Sequence, residues 1–394
     1  MPSLDDDHTG TRVREQRRLA RLTQRQLADR IPYSYSLLNQ VECGARPATA
    51  DFIAAVAHAL QVDVTTLTGQ PYVTELQRDR LAELVRPIRE ALDLYDLGVN
   101  PDLIARPAAV LVSEADRLCQ QVRATHLRHA SQDLPGLIVE LTQTAWAVPS
   151  TPAWQALASA YRTASDIALK VGYFDLARIA LDRMAWAADK ASDPCLAAIR
   201  QYKRGLLYKA GDAHGTGQRL IAAGQQLLAG ETSREALAVS GQLHLGASAL
   251  AARAEDQGAV DTHLAAARAL ADRVGGEAPE VHWLSFGHRN ADLHAFGAAV
   301  TMRQYDEALD QAQKIQLPAS TLTSRRARYL VDRARVEMET GRLDASLKNL
   351  GAARRVAPEQ VRHYPGTRET ISGLVHLSRR TPDSLGHMAK WIGM

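Results

Sequence analysis

Residues Thr23 to Pro47, TQRQLADRIPYSYSLLNQVECGARP, read as two short helices joined by a tight turn. Leu27, Ala28, Ile31, Leu38 and Val41 are spaced to pack the two helices against each other. The second helix turns a row of polar side chains outward: Tyr35, Ser36, Asn39 and Gln40. A polar, exposed helix held over a small apolar core is the form that enters a DNA major groove and meets base edges.

Working outward, Arg12 to Ala20 forms a basic amphipathic helix with Val13 and Leu19 inward. Thr23 is placed to cap the next helix, and Pro32 cannot continue it. Ser34 caps the helix that follows, and Gly44 suits its left-handed end. Thr49 opens a fourth helix reaching Leu60, and Val64 to Leu67 make a short fifth. Residues 10–60 hold eight arginines (12, 14, 17, 18, 21, 25, 30, 46) against Glu15, Asp29, Glu42 and Asp51. That local surplus contrasts with a whole-chain net charge of only +3, and it suits a surface facing phosphates.

At 394 residues the chain exceeds one ordinary core. Alanine and leucine dominate the apolar residues, and no alternating stretch is long enough for a strand, so the expected class is all-α. Cys43, Cys119 and Cys195 lie far apart and match no metal spacing. This usage points to a reducing, cytoplasmic setting, and a DNA-binding head would place the chain with the nucleoid. The acidic start MPSLDDDHTG is read as a disordered tail over residues 1–9 rather than a signal peptide. No apolar run approaches a transmembrane length.

Beyond residue 69 the pattern changes. Gln70-Pro71-Tyr72 reads as a linker, and Glu75 to Tyr95 as a helix interrupted near Pro87; residues 70–112 are taken as linker helices. From 113 to 394, Ala/Leu-rich helices recur in pairs: 113–127 with 133–147, 152–171 with 173–189, 194–210 with 212–229, 233–254 with 256–274, 283–302 with 304–316, and 322–340 with 342–357. A last helix is expected from Thr367 to Arg379, followed by a tail. A period near forty predicts an α-solenoid of hairpins, each burying its apolar face against its neighbours. GYFDLARIAL (172–181), RQYDEALDQA (303–312) and GRLDASLKNLGAARRVAP (341–358) place Ala177, Ala308 and Ser346 at the close helix crossing. Counting back from the turns puts Arg162, Asp166, Gln201, Tyr208, Gln242, Asn290, Arg328 and Arg335 on the inner wall. Amides and guanidinium groups there suit a peptide or an anionic small molecule. In His282-Trp283-Leu284-Ser285-Phe286-Gly287-His288, Trp283 and Phe286 read as core, and the histidine spacing suits no metal. Walker, nucleophile-elbow, HExxH and dinucleotide signatures are all missing, and Gly215-Thr216-Gly217 reads as a turn, so neither enzyme activity nor a cofactor is expected.

LTQRQLA at 22–28, Ser34, VE-x-G at 41–44, RP at 46–47 and AxALQVD at 57–63 resemble the lambda-repressor-like helix-turn-helix of the XRE family, over residues 10–69. The resemblance implies a five-helix DNA-binding domain. In it Gln24 meets phosphate, Ser34 starts the recognition helix, Tyr35, Ser36 and Gln40 reach bases with Asn39 beside them, and Arg46 meets the backbone. It also implies that Arg17 and Glu42 form a buried structural pair.

The hairpin signatures are similar to tetratricopeptide repeats. The combination resembles helix-turn-helix regulators with such repeats, a group that includes quorum-sensing receptors and regulators of secondary metabolism. FGHRNADLHAFGAAVTMRQYDEALDQAQKIQLP (286–318), RRARYLVDRARVEMETGRLDASL (325–347) and SLGHMAKWIGM (384–394) resemble the latter. The resemblance implies a homodimer on double-stranded DNA with a pseudo-palindromic operator, tuned by a peptide or small-molecule effector and with no membrane association. The alternatives are a protein-interaction adaptor and a repressor that needs no effector.

Overall fold

The computed structural model describes residues 8–62, 64–68, 75–209, 213–378 and 382–394. These are helical, with one isolated bridge between Ala278 and Phe286 and no strand. Five helices form the head: α1 (Thr9–Leu19), α2 (Gln24–Ala28), α3 (Tyr35–Glu42), α4 (Ala50–Leu60) and α5 (Val64–Thr68). Val13, Leu27, Leu38, Val41, Phe52, Val56 and Leu67 close their core.

The caps explain the boundaries. Thr23 and Gln26 form a reciprocal capping box on α2. Ser34 and Thr49 cap α3 and α4 through the amides of Leu37 and Phe52; each such cap contributes about 1 kcal/mol. The first helix starts earlier than the apolar pattern suggests. His8 accepts from the amides of Gly10 and Thr11, so part of the expected tail is folded; residues 1–7 lie outside the described residues. Gly10 is required where α1 crosses α3, because a Cβ there would collide with the Val41 carbonyl.

α6 (Glu75–Asp93) continues through Pro87 as one helix. Its Val85, Ile88 and Leu92 share one core with Leu118, Leu141 and Trp154, so this segment, read as a linker, belongs to the array's first layer. The Gln70-Pro71-Tyr72 linker lies outside the described residues. Six hairpins follow: α7 (Ala108–Arg123) with α8 (Leu127–Ala147), α9 (Thr151–Lys170) with α10 (Phe174–Ala191), α11 (Pro194–Leu206) with α12 (His214–Leu227), α13 (Arg234–Arg253) with α14 (Gln257–Val274), α15 (His288–Thr301) with α16 (Tyr305–Lys314), and α17 (Thr323–Glu339) with α18 (Leu343–Val356).

Five of these hairpins use the same turn. Thr125, Gly172, Glu255, Arg303 and Gly341 each take a left-handed φ, and the next helix begins two residues later. In each, the amide after the left-handed residue bonds back to the first helix: His126 to Gln121, Tyr173 to Ala168, Asp256 to Ala251, Gln304 to Ala299 and Arg342 to Glu337. This is one repeated Schellman-type end. The corresponding turn of the third hairpin, 210–212, lies outside the described residues. Ala177, Ala308 and Ser346 are fully buried, and Ser346 Oγ donates to the Ala334 carbonyl at 2.6 Å. Gly215-Thr216-Gly217, expected as a turn, forms the first turns of α12; Gly217 permits close approach to the Gly205 carbonyl.

The C-terminus also departs from expectation. Three helices follow α18: α19 (Pro358–His363), α20 (Pro365–Leu377) and α21 (Asp383–Ile392). The expected tail is helical because Leu385, Met388, Ala389 and Ile392 bury against Ile371 and Leu374. The array then meets its own beginning. Glu359 Oε2 accepts from the amides of Leu127 and Arg128, at 2.8 and 3.1 Å, and Lys170 Nζ bonds Gln360 Oε1. These contacts join α19 to the start of α8, 232 and 231 residues away in the chain.

Candidate nucleic-acid interface and enclosed basic chamber

The exposed side of α3 is a continuous polar row. Ser34, Tyr35, Ser36, Asn39 and Gln40 are exposed, as is Arg46 beyond it. The row is held from behind. Arg17 Nε and Nη2 donate to the two Glu42 oxygens at 2.7 Å each, and Arg17 Nη1 donates to the Leu22 carbonyl. Both residues are buried, an arrangement that ties α1, the α1–α2 turn and α3 into one unit.

Gln24, expected at phosphate, is engaged inside the head. Its Nε2 donates to Glu42 Oε2 at 2.8 Å and to Asn39 Oδ1 at 3.2 Å, while Tyr35 Oη donates to its Oε1 at 3.3 Å. The side chain therefore braces α2 against α3 and orients Asn39 and Tyr35, leaving Ser36, Gln40 and Arg46 unencumbered by it. Arg14 donates to the Glu42 carbonyl at 2.9 Å, closing the end of α3.

The head rests on the end of the repeat array through α1. Arg18 donates to the carbonyls of Val375, at 2.9 Å, and His376. Arg21 pairs with Asp383, and Leu19 packs into the core of α20 and α21. Because α1 makes this contact, the face of α3 stays open.

Several inner-wall residues lie deeper than a solvent-lined groove would place them. Arg162, Asp166, Gln242 and Asn290 are at most 5% exposed. Their partners are other repeats: Asn290 Nδ2 donates to Gln242 Oε1 at 3.1 Å, and Gln242 Nε2 donates to Tyr202 Oη at 2.8 Å. Gln201 is half-buried and accepts from Arg204. Tyr208 lies under Arg178, and Arg335 pairs with Glu369 at 3.4 Å. Arg328 binds Asp332 at 2.6 Å and sits over the Tyr364 ring.

Around Asp166 the structure collects cations that spacing alone did not single out. Arg123 Nη2 and Lys203 Nζ reach its two oxygens at 2.6 and 2.7 Å. Burial acts to raise the Asp166 carboxyl, but the charges of Arg123 and Lys203 outweigh it and hold it well below the carboxylate range. Burial, only partly offset by Asp166, pushes Lys203 down to about 8. Burial and then the charge of Arg123 push Lys170 down to about 7. Arg123 and Lys170 are the last residues of α7 and α9. A cation in the last turn of a hairpin's first helix was the sequence signal available for them.

Trp283 is half-buried rather than core; its Nε1 donates to Asp116 Oδ1 at 2.6 Å, tying the 275–287 loop to α7. Phe286 is fully buried against Gly241. Asp193, Cys195 and Glu235 converge with metal-ligand spacing. Asp193 already caps α11 and holds Gln155, Glu235 pairs with His282, and burial pushes the Cys195 thiol up to about 12. We assign no metal to this cluster.

Residues 8–68 match a family described as a helix-turn-helix domain. The chain is also 35% identical, over 129 residues, to a protein named propionyl-CoA carboxylase regulator from Cereibacter sphaeroides; the match covers 32% of this chain and 26% of that protein. No solved structure matches the chain. Among the described residues, no helix is long and apolar enough to cross a membrane.

Proposed function

We propose that this chain is a transcription regulator that reads DNA with α3 and responds to a small effector held by its repeat array, catalysing no reaction itself. The observation that carries the reading is the exposed row Tyr35, Ser36, Asn39 and Gln40 on a helix locked by the Arg17–Glu42 pair. Backbone and arginine contacts set position while side chains on base edges set sequence. Arg46 and the arginines of the head serve the first task, and Ser36 and Gln40 the second. The matched helix-turn-helix family and the regulator named among its relatives support this reading.

A second copy completes the site. Solenoid ends need polar caps, yet Leu97, Val99 and Ile104 between α6 and α7, and Val148 just after α8, are exposed, with Ile104 93% exposed. Pairing two chains through this face covers it and carries two α3 helices onto the half-sites of a pseudo-palindromic operator.

The closed array favours a small effector over an extended peptide, since Glu359 and Gln360 join its two ends. A route to the head is built in. α17 carries Arg325 and Arg328 and packs on α20, and α20 holds α1. An effector that binds one placement of α17 better than another shifts the head by that difference in affinity.

The test is fluorescence anisotropy of the full chain on its operator and on random duplex. Gln40→Ala loses about tenfold or more on the operator alone, since one base contact contributes about 1–3 kcal/mol. Arg46→Ala weakens both duplexes and lowers the salt slope by about one. Unchanged operator affinity in Gln40→Ala refutes the assignment of α3.

A further inference from the structure

A cluster of basic side chains between the first and last hairpins has a charge imbalance that its own residues do not neutralise. Arg123 on α7, Arg162 and Lys170 on α9, Lys203 on α11, and Arg325 and Arg328 on α17 converge there, against Asp166 and Asp332. Among the described residues, no carboxylate lies within ion-pair distance of Arg162, Lys170 or Arg325. The 1% exposed Arg162 guanidinium bonds Cys119 Sγ and Ser159 Oγ through Nη2 only, leaving Nε and Nη1 without partners. Arg123 Nε is likewise buried and unpartnered. Buried guanidinium N–H groups without acceptors are costly and uncommon.

A strained loop borders the cluster. His282, Trp283 and Ser285 all take positive φ, and Ser285 Oγ is buried without a partner. Such backbone is unfavourable for residues with a side chain and gathers at binding sites. This loop is pinned to α7 by Trp283–Asp116 and to α13 by His282–Glu235, and it receives Arg325 Nη2 on the Leu284 carbonyl at 3.4 Å. Arg123, Lys170 and Arg325 are half-buried and Arg328 is exposed, so each keeps surface that a ligand can reach.

We propose that this basic cluster lines a chamber that binds a small molecule carrying clustered anionic oxygens, a diphosphate or a polycarboxylate, between Arg325 on one side and Arg123, Lys170 and Lys203 on the other. Planar guanidinium groups bind paired oxygens in a bidentate manner, and ammonium groups add point charge. Burial, and after it the charge of Arg123, hold Lys170 at about 7, and the negative charge of an arriving anion draws a proton onto the lysine. The proposal rests on the reading of the array as an effector domain and specifies the ligand's chemistry.

The experiment uses the full chain with inorganic pyrophosphate and, separately, citrate, against sodium chloride of equal ionic strength. Melting temperature and calorimetric binding are read at pH 6.5 and pH 9. One or both anions are expected to raise the melting temperature by about 2 °C or more above the chloride control, with weaker binding at pH 9. Pyrophosphate alone identifies a phosphate ligand, and citrate alone a carboxylate ligand. Lys170→Met and Arg325→Gln, each checked for native helix content, abolish the shift. No shift beyond chloride with either anion, or a full shift in both variants, overturns the proposal. Operator affinity measured with and without pyrophosphate and citrate separates the two claims. Saturable anion binding that leaves DNA affinity unchanged keeps the site and removes the regulatory reading.

Discussion

Replacing Lys170 with methionine should make the ligand-free protein more stable, in a way that depends on pH. The side chain is largely buried, its ammonium bonds Gln360, and its pKa is held at about 7 against an ordinary 10.5 by burial and by the charge of Arg123. Each unit of such a difference corresponds to about 1.4 kcal/mol, so the charged form costs on the order of several kcal/mol at neutral pH. Methionine keeps the length and apolar character of the stem but loses the Gln360 bond, a net cost of about 1 kcal/mol. The expected gain is therefore about 1–3 kcal/mol at pH 6–7, in line with replacement of other buried charges by apolar side chains. The sign over pH follows from linkage. Between pH 7 and about 10 the unfolded chain holds more protons than the folded one, so the native protein gains stability as pH rises. Below pH 7 both states carry the proton and the penalty is constant. The advantage of Lys170→Met should thus be full at pH 6, shrink through pH 8 and disappear near pH 10. Urea unfolding at four pH values measures it. A variant less stable than the parent at pH 6, or an advantage that does not vary with pH, refutes the account of the chamber.

Other outcomes follow from the head and the array. Glu42→Ala leaves the Arg17 guanidinium buried and takes a partner from Gln24, so the head should lose about 3–5 kcal/mol. The Arg17→Met/Glu42→Leu double variant should lose far less; calorimetry of the full chain resolves this if the head melts before the array, and equal losses contradict it. Arg18→Ala removes the donor to Val375 and His376, and should raise amide exchange along α1 and α20 without weakening operator binding by more than about threefold. Ile104→Glu places a charge on the exposed apolar end; sedimentation should then report monomer at concentrations where the parent is a dimer, and an unchanged state refutes that face as the contact.

Much of the head was legible because its signals are local. Thr23, Ser34 and Thr49 sit where the first free amides need acceptors, and Gly44 where the chain must turn left-handed. The hairpins were legible through alanine or serine at the crossings and through recurring turns. The interior was not. An asparagine or glutamine on a first helix reads the same whether its partner is water or, as for Asn290 and Gln242, another repeat. The meeting of Glu359 with the start of α8 depends on small rotations summed over six hairpins, which no local pattern encodes. Pro87 suggested a break in α6, but packing of Val85, Ile88 and Leu92 carried the helix through it. The closing helix was hidden for a related reason: Leu385, Met388 and Ile392 acquire a partner surface only once α20 is in place. Gln24 kept its expected position at the start of α2, but Glu42 claims its amide.

The central claim is that α3 reads base sequence, and selection from a pool of random duplexes by the purified full chain tests it most directly. The account predicts enrichment of two inverted half-sites about one helical turn apart, with Gln40→Ala losing preference at matching positions in each half. Failure to enrich any sequence, or the same motif enriched equally by the parent and Gln40→Ala, would contradict it.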